Sequence, residues 1–316
     1  MPTSVQLLDA WQKFRPGKST REVLAFEYNL EHNLSSLELD IQAGTYRHGG
    51  YRVVEIADKK RRTLHVATIR DRIVHRLLYD KLVRLYDPTF DEAVFSGRKG
   101  RGLQKALART QSLLARYPSA YVFRADIKKA FDSINHQVLL ELLHRKLDPE
   151  TYFLCQAVAN SFESAPGRGI PIGNLTSQIF SLIYLHELDR FIRQSIKPLA
   201  YLRYGDDFII FLPSRPFAVA AQHQVASFLQ HELKMTLNPR NTIIIKSRHG
   251  LRFLGHIITA DALQVDKVTT KKVLKNAKPH NLASYKQLYL STEVKDALDR
   301  RILGQIDAEI YQNLDL

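Results

Sequence analysis

The sequence predicts an α+β protein whose C-terminal segment is all helical. Short runs of β-branched and aromatic residues alternate along the chain with stretches of helical periodicity. Gly205-Asp206 separates two of these runs with the spacing of a two-residue hairpin turn. From Lys267 onward the pattern is helical and polar, with a break at Pro279. These three observations predict the fold class before any motif is considered.

The composition is that of an ordinary globular protein. Of the 316 residues, 45% are hydrophobic and 25% are charged, which excludes a disordered or collagen-like chain. Cys155 is the only cysteine, so an internal disulfide and a cysteine-based zinc cluster are excluded. The first 14 residues lack a signal-peptide pattern, and no apolar run reaches the roughly 18 residues of a membrane span. We therefore expect no membrane association and a cytoplasmic location.

Strands are predicted where apolar or alternating runs are bounded by turn residues. They cover residues 51–56, 63–67, 121–127, 199–204, 207–212, 242–246 and 251–258. Turns are predicted at 58–62, between the first two strands, and at 167–172.

Helices are predicted from apolar periodicity and from capping residues. Ser19 with Glu22, and Ser35 with Glu38, have capping-box spacing, so the first 40 residues are expected to be helical. Asp148-Pro149 has the pattern of an N-cap followed by a first-turn proline. The remaining helices are predicted at 70–86, 102–116, from about 136, at 148–160, 175–196 and 217–234.

The net charge of +14 is concentrated in two segments. Residues 59–109 carry 14 basic and 5 acidic side chains, and residues 267–278 carry five lysines and no acid. Positive charge gathered in this way predicts a groove for a polyanion. The alternative is a pair of solvated helix faces.

Three aspartates form the strongest candidate for a catalytic site. Asp206 and Asp207 lie on the tight hairpin, where two adjacent carboxylates repel each other unless a cation neutralises them. Asp126 ends a predicted strand 80 residues earlier. Carboxylates converging from separate strands are what two-metal phosphoryl transfer requires, and Mg²⁺ is the cation that binds few carboxylates together with phosphate oxygens. The alternative is a solvated turn in which aspartate is simply a good turn former.

Several segments resemble the sequence motifs of reverse transcriptases, in the order and at the spacing of that family. The resembling segments are Phe123-Arg124-Ala125-Asp126-Ile127-Lys128-Lys129-Ala130-Phe131-Asp132 (motif A), Tyr204-Gly205-Asp206-Asp207 (motif C) and Phe253-Leu254-Gly255-His256 (motif E). Residues 59–64, 69–75 and 95–100 are similar to the fingers motifs of bacterial reverse transcriptases. The resemblance covers roughly residues 55–260.

This resemblance implies an RNA-directed DNA polymerase with a right-hand fold. The fingers and N-terminal helices would occupy residues 1–118. The palm, with its antiparallel sheet, would occupy 119–262, including residual fingers at 140–172, and a short helical thumb would occupy 263–316. Asp126, Asp206 and Asp207, with the Ile127 carbonyl, would bind two Mg²⁺ ions.

The resemblance also implies contacts to the substrates. Arg62 and Arg70 match positions that grip the incoming triphosphate, a role that suits the planar guanidinium, although they could be ordinary surface charges. Phe131 matches the steric gate that excludes a 2′-hydroxyl, and its alternative is a core aromatic. The expected template and primer contacts are Arg98, Lys99, Phe253, Leu254, Gly255, Lys271, Lys272 and Lys275.

One motif resembles the reverse transcriptases of diversity-generating retroelements, which copy template adenines unfaithfully. Residues 170–178 contain Ile172-Gly173 and Ser177-Gln178, where most reverse transcriptases carry Gln-Gly and Ser-Pro. Isoleucine offers only shape and dispersion to the nucleotide, so discrimination should loosen. Ile172, Gly173 and Gln178 are therefore expected at the dNTP. The segment could instead serve to cap the following helix.

Other features leave the subfamily and the partners open. The lysine that is usual in motif D is replaced by Asn241, with Arg240 before it. The expected partners are template RNA, primer or cDNA, dNTPs and a small helical accessory protein, with self-association as a further option. Alternatives within the family are retron-like, group II intron-like and phage-defence enzymes. Outside it are an RNA-binding protein with a decayed polymerase fold and a basic nucleic-acid-binding module with structural acids.

Overall fold

The structure, a computed structural model, describes residues 2–57 and 61–276. The helices are α1 (Ser4–Phe14), α2 (Arg21–Tyr28), α3 (Leu30–Gln42), α4 (Ile69–Tyr86), α5 (Leu103–Arg116), α6 (Ala130–Ser133), α7 (His136–His144), α8 (Pro149–Ala159), α9 (Leu175–Phe191), α10 (Arg215–His231) and α11 (Lys267–Asn276). The strands are β1 (Tyr51–Ala57), β2 (Arg61–Ala67), β3 (Tyr121–Asp126), β4 (Ala200–Tyr204), β5 (Asp207–Leu212), β6 (Ile243–Lys246), β7 (Leu251–Phe253), β8 (His256–Ile258) and β9 (Leu263–Val265).

The described strands form three antiparallel sheets. β1 pairs with β2, the central sheet has the order β4-β5-β3-β6, and β7, β8 and β9 form a small meander. Helices and antiparallel sheets in this mixture confirm the predicted α+β class. The central sheet matters most for function, because β3 and the β4–β5 hairpin both belong to it.

The central sheet is covered on both faces, which explains why its strands are apolar almost throughout. Phe208 and Ile210 of β5 point into the larger core, where α9 and α10 pack. Ile209 and Phe211 point to the opposite face, into a second core that α5 and the small meander complete. A strand that is buried on both faces loses the alternation of apolar and polar residues and reads as one apolar run. The register of the β4–β5 hairpin is instead fixed by its two-residue turn, which places Tyr204 opposite Asp207.

Two predicted helix starts are wrong. The N-cap of α2 is Thr20 rather than Ser19, because the Thr20 side chain accepts a hydrogen bond from the Val23 N–H. Ser35 lies inside α3, whose N-cap residue is Asn29. Capping-box spacing can occur within a helix, where the intrahelical hydrogen bonds leave no exposed N–H group for the serine to cap.

Two other elements differ from their predictions in shape. Residues 251–258 form a hairpin instead of one strand, with Leu254 and Gly255 in the turn at φ 49° and 76°. In the segment predicted as one helix, 175–196, the α-helix ends at Phe191 and is followed by a π-helical turn, Ile192–Ile196. The other predicted strands and helices are confirmed to within a few residues. Of the turn predicted at 58–62, residues 61 and 62 belong instead to β2, and residues 58–60 lie outside the described residues. The break predicted at Pro279 also lies outside them.

Within the described ranges, no helix is both long enough and apolar enough to cross a bilayer.

Candidate active site

The three aspartates meet at one end of the central sheet. In the register of β3 and β5, Asp126 lies directly opposite Asp207. The Ile127 N–H donates to the carbonyl of Asp206 at 3.2 Å, which brings the hairpin turn to the end of β3. Directly opposed residues of antiparallel strands have Cα atoms about 4.5–5.5 Å apart. The predicted convergence of the carboxylates of Asp126, Asp206 and Asp207, called the carboxylate cluster below, is therefore present.

Electrostatic repulsion is built into the carboxylate cluster. Burial raises the pKa of Asp207 to about 6, and the neighbouring Asp206 and Asp126 carboxylates push it in the same direction. Arg124 partly opposes this increase, with its Nη2 3.7 Å from Asp207 Oδ1. The site is thus short of positive charge in the absence of a cation.

The two carboxylate oxygens of Asp126 differ in their hydrogen bonds. Asp126 Oδ1 has no hydrogen-bond partner among the described residues. The other oxygen, Oδ2, accepts from the side-chain amides of Asn241 at 2.9 Å and Asn238 at 3.3 Å. A buried, unpaired acceptor costs free energy unless something else satisfies it. A divalent cation is one group that would do so.

The donor set fits Mg²⁺ held jointly by the protein and its substrates. Among the described residues, no group of three or more His, Cys, Asp or Glu side chains forms a ready-made metal site. Mg²⁺ does not need one, since it is usually held by one or two carboxylates together with substrate phosphates and water. The hard oxygens of the carboxylate cluster and the unpaired Asp126 Oδ1 fit this mode of binding.

A buried ion pair fixes the hairpin that carries Asp206 and Asp207. Arg203 Nε and Nη2 donate to the two carboxylate oxygens of Asp189 on α9 at 2.7 and 2.6 Å. Arg203 Nη1 donates to the carbonyl of Gly205, in the turn, at 3.0 Å. Both charged side chains are fully buried. Burial opposes the charge of Arg203, but the Asp189 carboxylate more than offsets it and raises the pKa of the guanidinium. This pair was not predicted from the sequence. The signal for it was a charged residue within each of two largely apolar segments, Asp189 in α9 and Arg203 in β4.

The residues expected at the nucleotide are partly brought together. Phe131, in α6, accepts a hydrogen bond on its carbonyl from the Ile170 N–H at 3.0 Å. The Ile172 carbonyl accepts from the His65 N–H of β2 at 3.1 Å. Gly173 has φ 111°, which a glycine adopts without strain, and the side chain of Gln178 is exposed in the first turn of α9. These bonds link Phe131 and Ile172 through one short loop, but the roles of these residues stay predictions.

The two arginines expected at the triphosphate are in different situations. Arg70, at the start of α4, forms an ion pair with Asp40 of α3, and its guanidinium lies over the Tyr46 ring at 5.1 Å. A triphosphate would have to compete with Asp40 for this cation. Arg62 lies in β2 opposite Ile56, and its side chain is outside the described structure.

The structure assigns packing roles to two residues expected at the template or primer. Arg98 donates to the Asp87 carboxylate at 2.6 Å and to the Asp87 and Asp91 carbonyls, and its side chain is only 9% exposed. Phe253 is fully buried in the second core, beneath the Arg124 guanidinium. The Arg98 side chain forms hydrogen bonds within the protein, and the Phe253 side chain packs in the core. Residue type alone does not predict this, because tertiary packing decides which side chains are buried. We therefore revise both expectations.

The other residues expected at the template or primer remain available. Lys99 is exposed, and Leu254 and Gly255 form the β7–β8 turn. Lys271 and Lys275 are exposed on α11, one helical turn apart, whereas the side chain of Lys272 is outside the described structure. Their contact with nucleic acid stays a prediction.

A buried polar network supports the start of α9. His75 of α4 is hydrogen-bonded through Nδ1 to Thr176 Oγ1 and through Nε2 to His48 Nε2 at 3.0 Å. Nearby, the buried Asp71 accepts from the Tyr46 hydroxyl at 2.8 Å. Burial, with smaller effects of His48 and Arg72, lowers the pKa of His75 from 6.5 to about 3.

This network predicts loss of stability in mild acid. Below pH 6.5 the unfolded chain takes up a proton on His75, and the folded protein does not, so stability falls as the pH falls. Between pH 7 and pH 5.5, His75 should lower the free energy of unfolding by about 1 kcal/mol. The free energy of unfolding, measured with urea at pH 7 and at pH 5.5, should change less between the two pH values for His75→Gln than for wild type. The exposed His32→Gln is the matched control, and an unchanged pH dependence in His75→Gln would contradict the account.

Sequence comparison identifies the family. A model described as reverse transcriptase (RNA-dependent DNA polymerase) matches residues 54–258. Group II intron-encoded protein LtrA of Lactococcus lactis subsp. cremoris is 24% identical over 301 residues, covering 72% of this chain and 50% of the relative. Protein YkfC of Escherichia coli K12 is 21% identical over 313 residues, covering 85% of this chain and 82% of the relative. The match to LtrA thus spans only half the length of that protein.

Solved structures show the same fold. Telomerase from Candida albicans, in complex with a TWJ fragment of telomeric RNA, matches with a TM-score of 0.55 at 15% identity, covering 87% of this chain and 58% of that one. Apo telomerase from Candida tropicalis matches with a TM-score of 0.51 at 12% identity, covering 72% and 49%. At such low identity the likeness shows the fold alone, and that fold is the right-hand polymerase fold. Since the family match covers well over half of the chain and includes all three clustered aspartates, this protein belongs to the reverse transcriptase family.

Proposed function

We propose that this chain is an RNA-directed DNA polymerase that transfers nucleotides with two Mg²⁺ ions bound at the carboxylate cluster. The observation that carries the proposal is the direct pairing of Asp126 with Asp207 beside the hairpin residue Asp206. Two features support it, because a cation relieves both: Asp126 Oδ1 is buried with no hydrogen-bond partner in the described part of the chain, and the pKa of Asp207 is raised.

The residues of the chain then have distinct tasks in nucleotide transfer. Mg²⁺ bound here would lower the pKa of the primer 3′-hydroxyl and stabilise charge on the leaving pyrophosphate. Asp126, Asp206 and Asp207 supply the negative charge that holds the cations, with the Ile127 carbonyl as a further oxygen ligand. The buried Arg203 keeps the hairpin turn in place through the Gly205 carbonyl. This contact holds the backbone of the turn that carries Asp206, which favours correct positioning of the reacting groups.

Further side chains would bind and select the nucleotide. Arg62 and Arg70 would bind the triphosphate, and Arg70 would exchange Asp40 for phosphate oxygens. Phe131 would exclude a 2′-hydroxyl. Ile172, Gly173 and Gln178 would line the site of the incoming base and sugar.

We further propose that incorporation is error-prone at template adenines, as in diversity-generating retroelements. The Ile172-Gly173 and Ser177-Gln178 pairs support this proposal, because isoleucine cannot make the hydrogen bond that glutamine offers. A group II intron-like activity is the second candidate, and the similarity to the LtrA protein favours it. Retron-like and phage-defence roles have no specific observation in their favour.

The partners proposed for this chain follow from its charge. Template RNA and the primer or cDNA would contact exposed lysines, among them Lys99 and the α11 residues Lys271 and Lys275. A small helical accessory protein would assist binding, since the described part of the proposed thumb, residues 263–276, contains only the short strand β9 and one short basic helix, α11. The predicted limits of fingers, palm and thumb at residues 118 and 262 stay part of this proposal, as does the cytoplasmic location.

Sequencing of cDNA products tests the proposed infidelity. Wild-type protein should extend a primer on an RNA template with Mg²⁺ and four dNTPs, and substitutions should concentrate at template adenines. Ile172→Gln should lower the error frequency at adenines by about tenfold, because a polar contact to the nucleotide is restored. Ile172→Val, which keeps the apolar character, should leave it unchanged. Faithful wild-type cDNA would refute the retroelement assignment but keep the polymerase.

A further inference from the structure

Two asparagines that follow α10 contact the first aspartate of the carboxylate cluster. Asn241 Nδ2 lies 2.9 Å and Asn238 Nδ2 lies 3.3 Å from Asp126 Oδ2. The Asn238 backbone N–H also donates to the Asp126 carbonyl at 2.9 Å. The contacts bridge 112 and 115 positions of the chain, so the fold creates them.

Both amides donate to Asp126 Oδ2, and they thereby also fix the position of Oδ1. The terminal torsion of an aspartate is broad and nearly two-fold, so a carboxylate without directional partners rotates easily. Two donors on Oδ2 restrict that rotation and leave Oδ1 as the oxygen that is buried and has no hydrogen-bond partner among the described residues. Oδ1 is therefore held ready for a further ligand.

The asparagines are themselves held in place by the turn that contains them. Asn238 Oδ1 accepts from the Arg240 N–H at 3.2 Å, which orients the Asn238 amide so that its NH₂ group faces Asp126. The Asn238 carbonyl accepts from the Asn241 N–H at 3.1 Å and from the Thr242 hydroxyl at 2.8 Å. Side-chain to backbone bonds of this kind stabilise tight turns. The turn thus presents both amides with defined orientations.

An amide has an advantage over a cation at this position. A neutral donor orients the carboxylate without cancelling its charge, whereas a lysine ammonium would compete with a metal ion for that charge. Asn241 stands where a lysine is usual in motif D of the family, so this chain has an orienting group in place of a cation.

We propose that Asn241, assisted by Asn238, is a positioning residue that presents Asp126 Oδ1 to the divalent cation of the reaction. The inference rests on the proposed function, since the cation is the one used in nucleotide transfer. Hydrogen bonds to metal ligands from outside the coordination sphere commonly change metal affinity by about 10- to 100-fold when they are lost.

Metal binding by the protein alone tests the proposal independently of activity. Mn²⁺ is titrated into the full chain without nucleic acid, and the free ion is followed by electron paramagnetic resonance. Asn241→Leu, which keeps the shape but removes the donor, should weaken Mn²⁺ binding about tenfold or more. Arg240→Ala, in an exposed neighbour, should leave it unchanged. In primer extension, Asn241→Leu should raise the Mg²⁺ concentration for half-maximal rate by a similar factor.

Three comparisons make the outcome unambiguous. Wild-type Mn²⁺ affinity in Asn241→Leu would overturn the proposal, and Asn241→Ala replaces this variant if thermal melting shows that it does not fold. In an Asp126→Asn background, Asn241→Leu should cause no further loss, because the orienting effect acts through the Asp126 carboxylate. If Asp126→Asn itself left Mn²⁺ binding intact, the proposed metal site would fail. If Asp126→Asn weakened Mn²⁺ binding but Asn241→Leu did not, the metal site would stand and the positioning role of Asn241 would fail.

Discussion

Asp206→Asn is expected to reduce nucleotide incorporation by about a thousandfold or more, which corresponds to about 4 kcal/mol of transition-state stabilisation. Asp206 is exposed in the β4–β5 turn, so the amide fits without repacking. The substitution removes one negative charge from the carboxylate cluster, which then holds a divalent cation less well. Single-nucleotide primer extension with Mg²⁺ measures the effect.

RNA affinity separates a catalytic from a structural role of the same carboxylate. Asp206→Asn should bind a labelled primer–template within about twofold of wild type, since losing a negative charge does not weaken attraction to phosphate. Asp261→Asn, in the exposed β8–β9 turn, is the matched control and should retain full activity. Loss of RNA affinity together with activity would mean that the aspartates are structural. Retained activity would remove Asp206 from the mechanism.

Asp189→Asn is expected to lower the free energy of unfolding by about 3–5 kcal/mol. The variant leaves the buried Arg203 guanidinium without its counter-charge, and removal of one partner of a buried ion pair is far more costly than loss of the pair as a whole. The Tyr201 hydroxyl, which donates to Asp189 at 2.6 Å, loses its charged acceptor as well. Urea unfolding of the purified chain measures the difference.

A control on the same helix distinguishes burial from charge. Glu187→Gln removes a partner of the exposed Arg190 on α9, and it should cost less than about 1 kcal/mol. The double variant Asp189→Leu with Arg203→Met should regain much of the stability lost in Asp189→Asn, since apolar residues of similar volume suit a buried site. Equal costs for Asp189→Asn and Glu187→Gln would contradict the account of the buried pair.

Local signals in the sequence predicted the β4–β5 hairpin well. The Gly205-Asp206 turn and the apolar runs beside it are short-range features, and the structure reproduces both strands almost to the residue. That the strand ending at Asp126 pairs with this hairpin is a long-range fact. The chemistry of paired carboxylates and the resemblance to reverse transcriptases suggested it, but no local signal in the sequence shows it. The N-cap of α2 was misplaced because Ser19 and Thr20 are adjacent and chemically equivalent candidates.

Tertiary contacts account for what the sequence did not reveal. Asn238 and Asn241 reach Asp126 across more than 100 residues, and no periodicity links them. Leu254 adopts a left-handed conformation that is rare for leucine, so its turn could not be read from residue type. Phe253 was expected to contact nucleic acid because it belongs to the motif E segment, but its side chain is fully buried in the core.

The central claim is that the carboxylate cluster carries out metal-dependent DNA synthesis on RNA. Its most direct test is single-nucleotide extension of a DNA primer on an RNA template by the wild-type chain, with Mg²⁺ and with the metal chelated. The account predicts templated incorporation that requires Mg²⁺ and is lost in Asp126→Asn. Incorporation that persists in Asp126→Asn, or wild-type protein that binds the primer–template but never extends it with Mg²⁺, would contradict the claim.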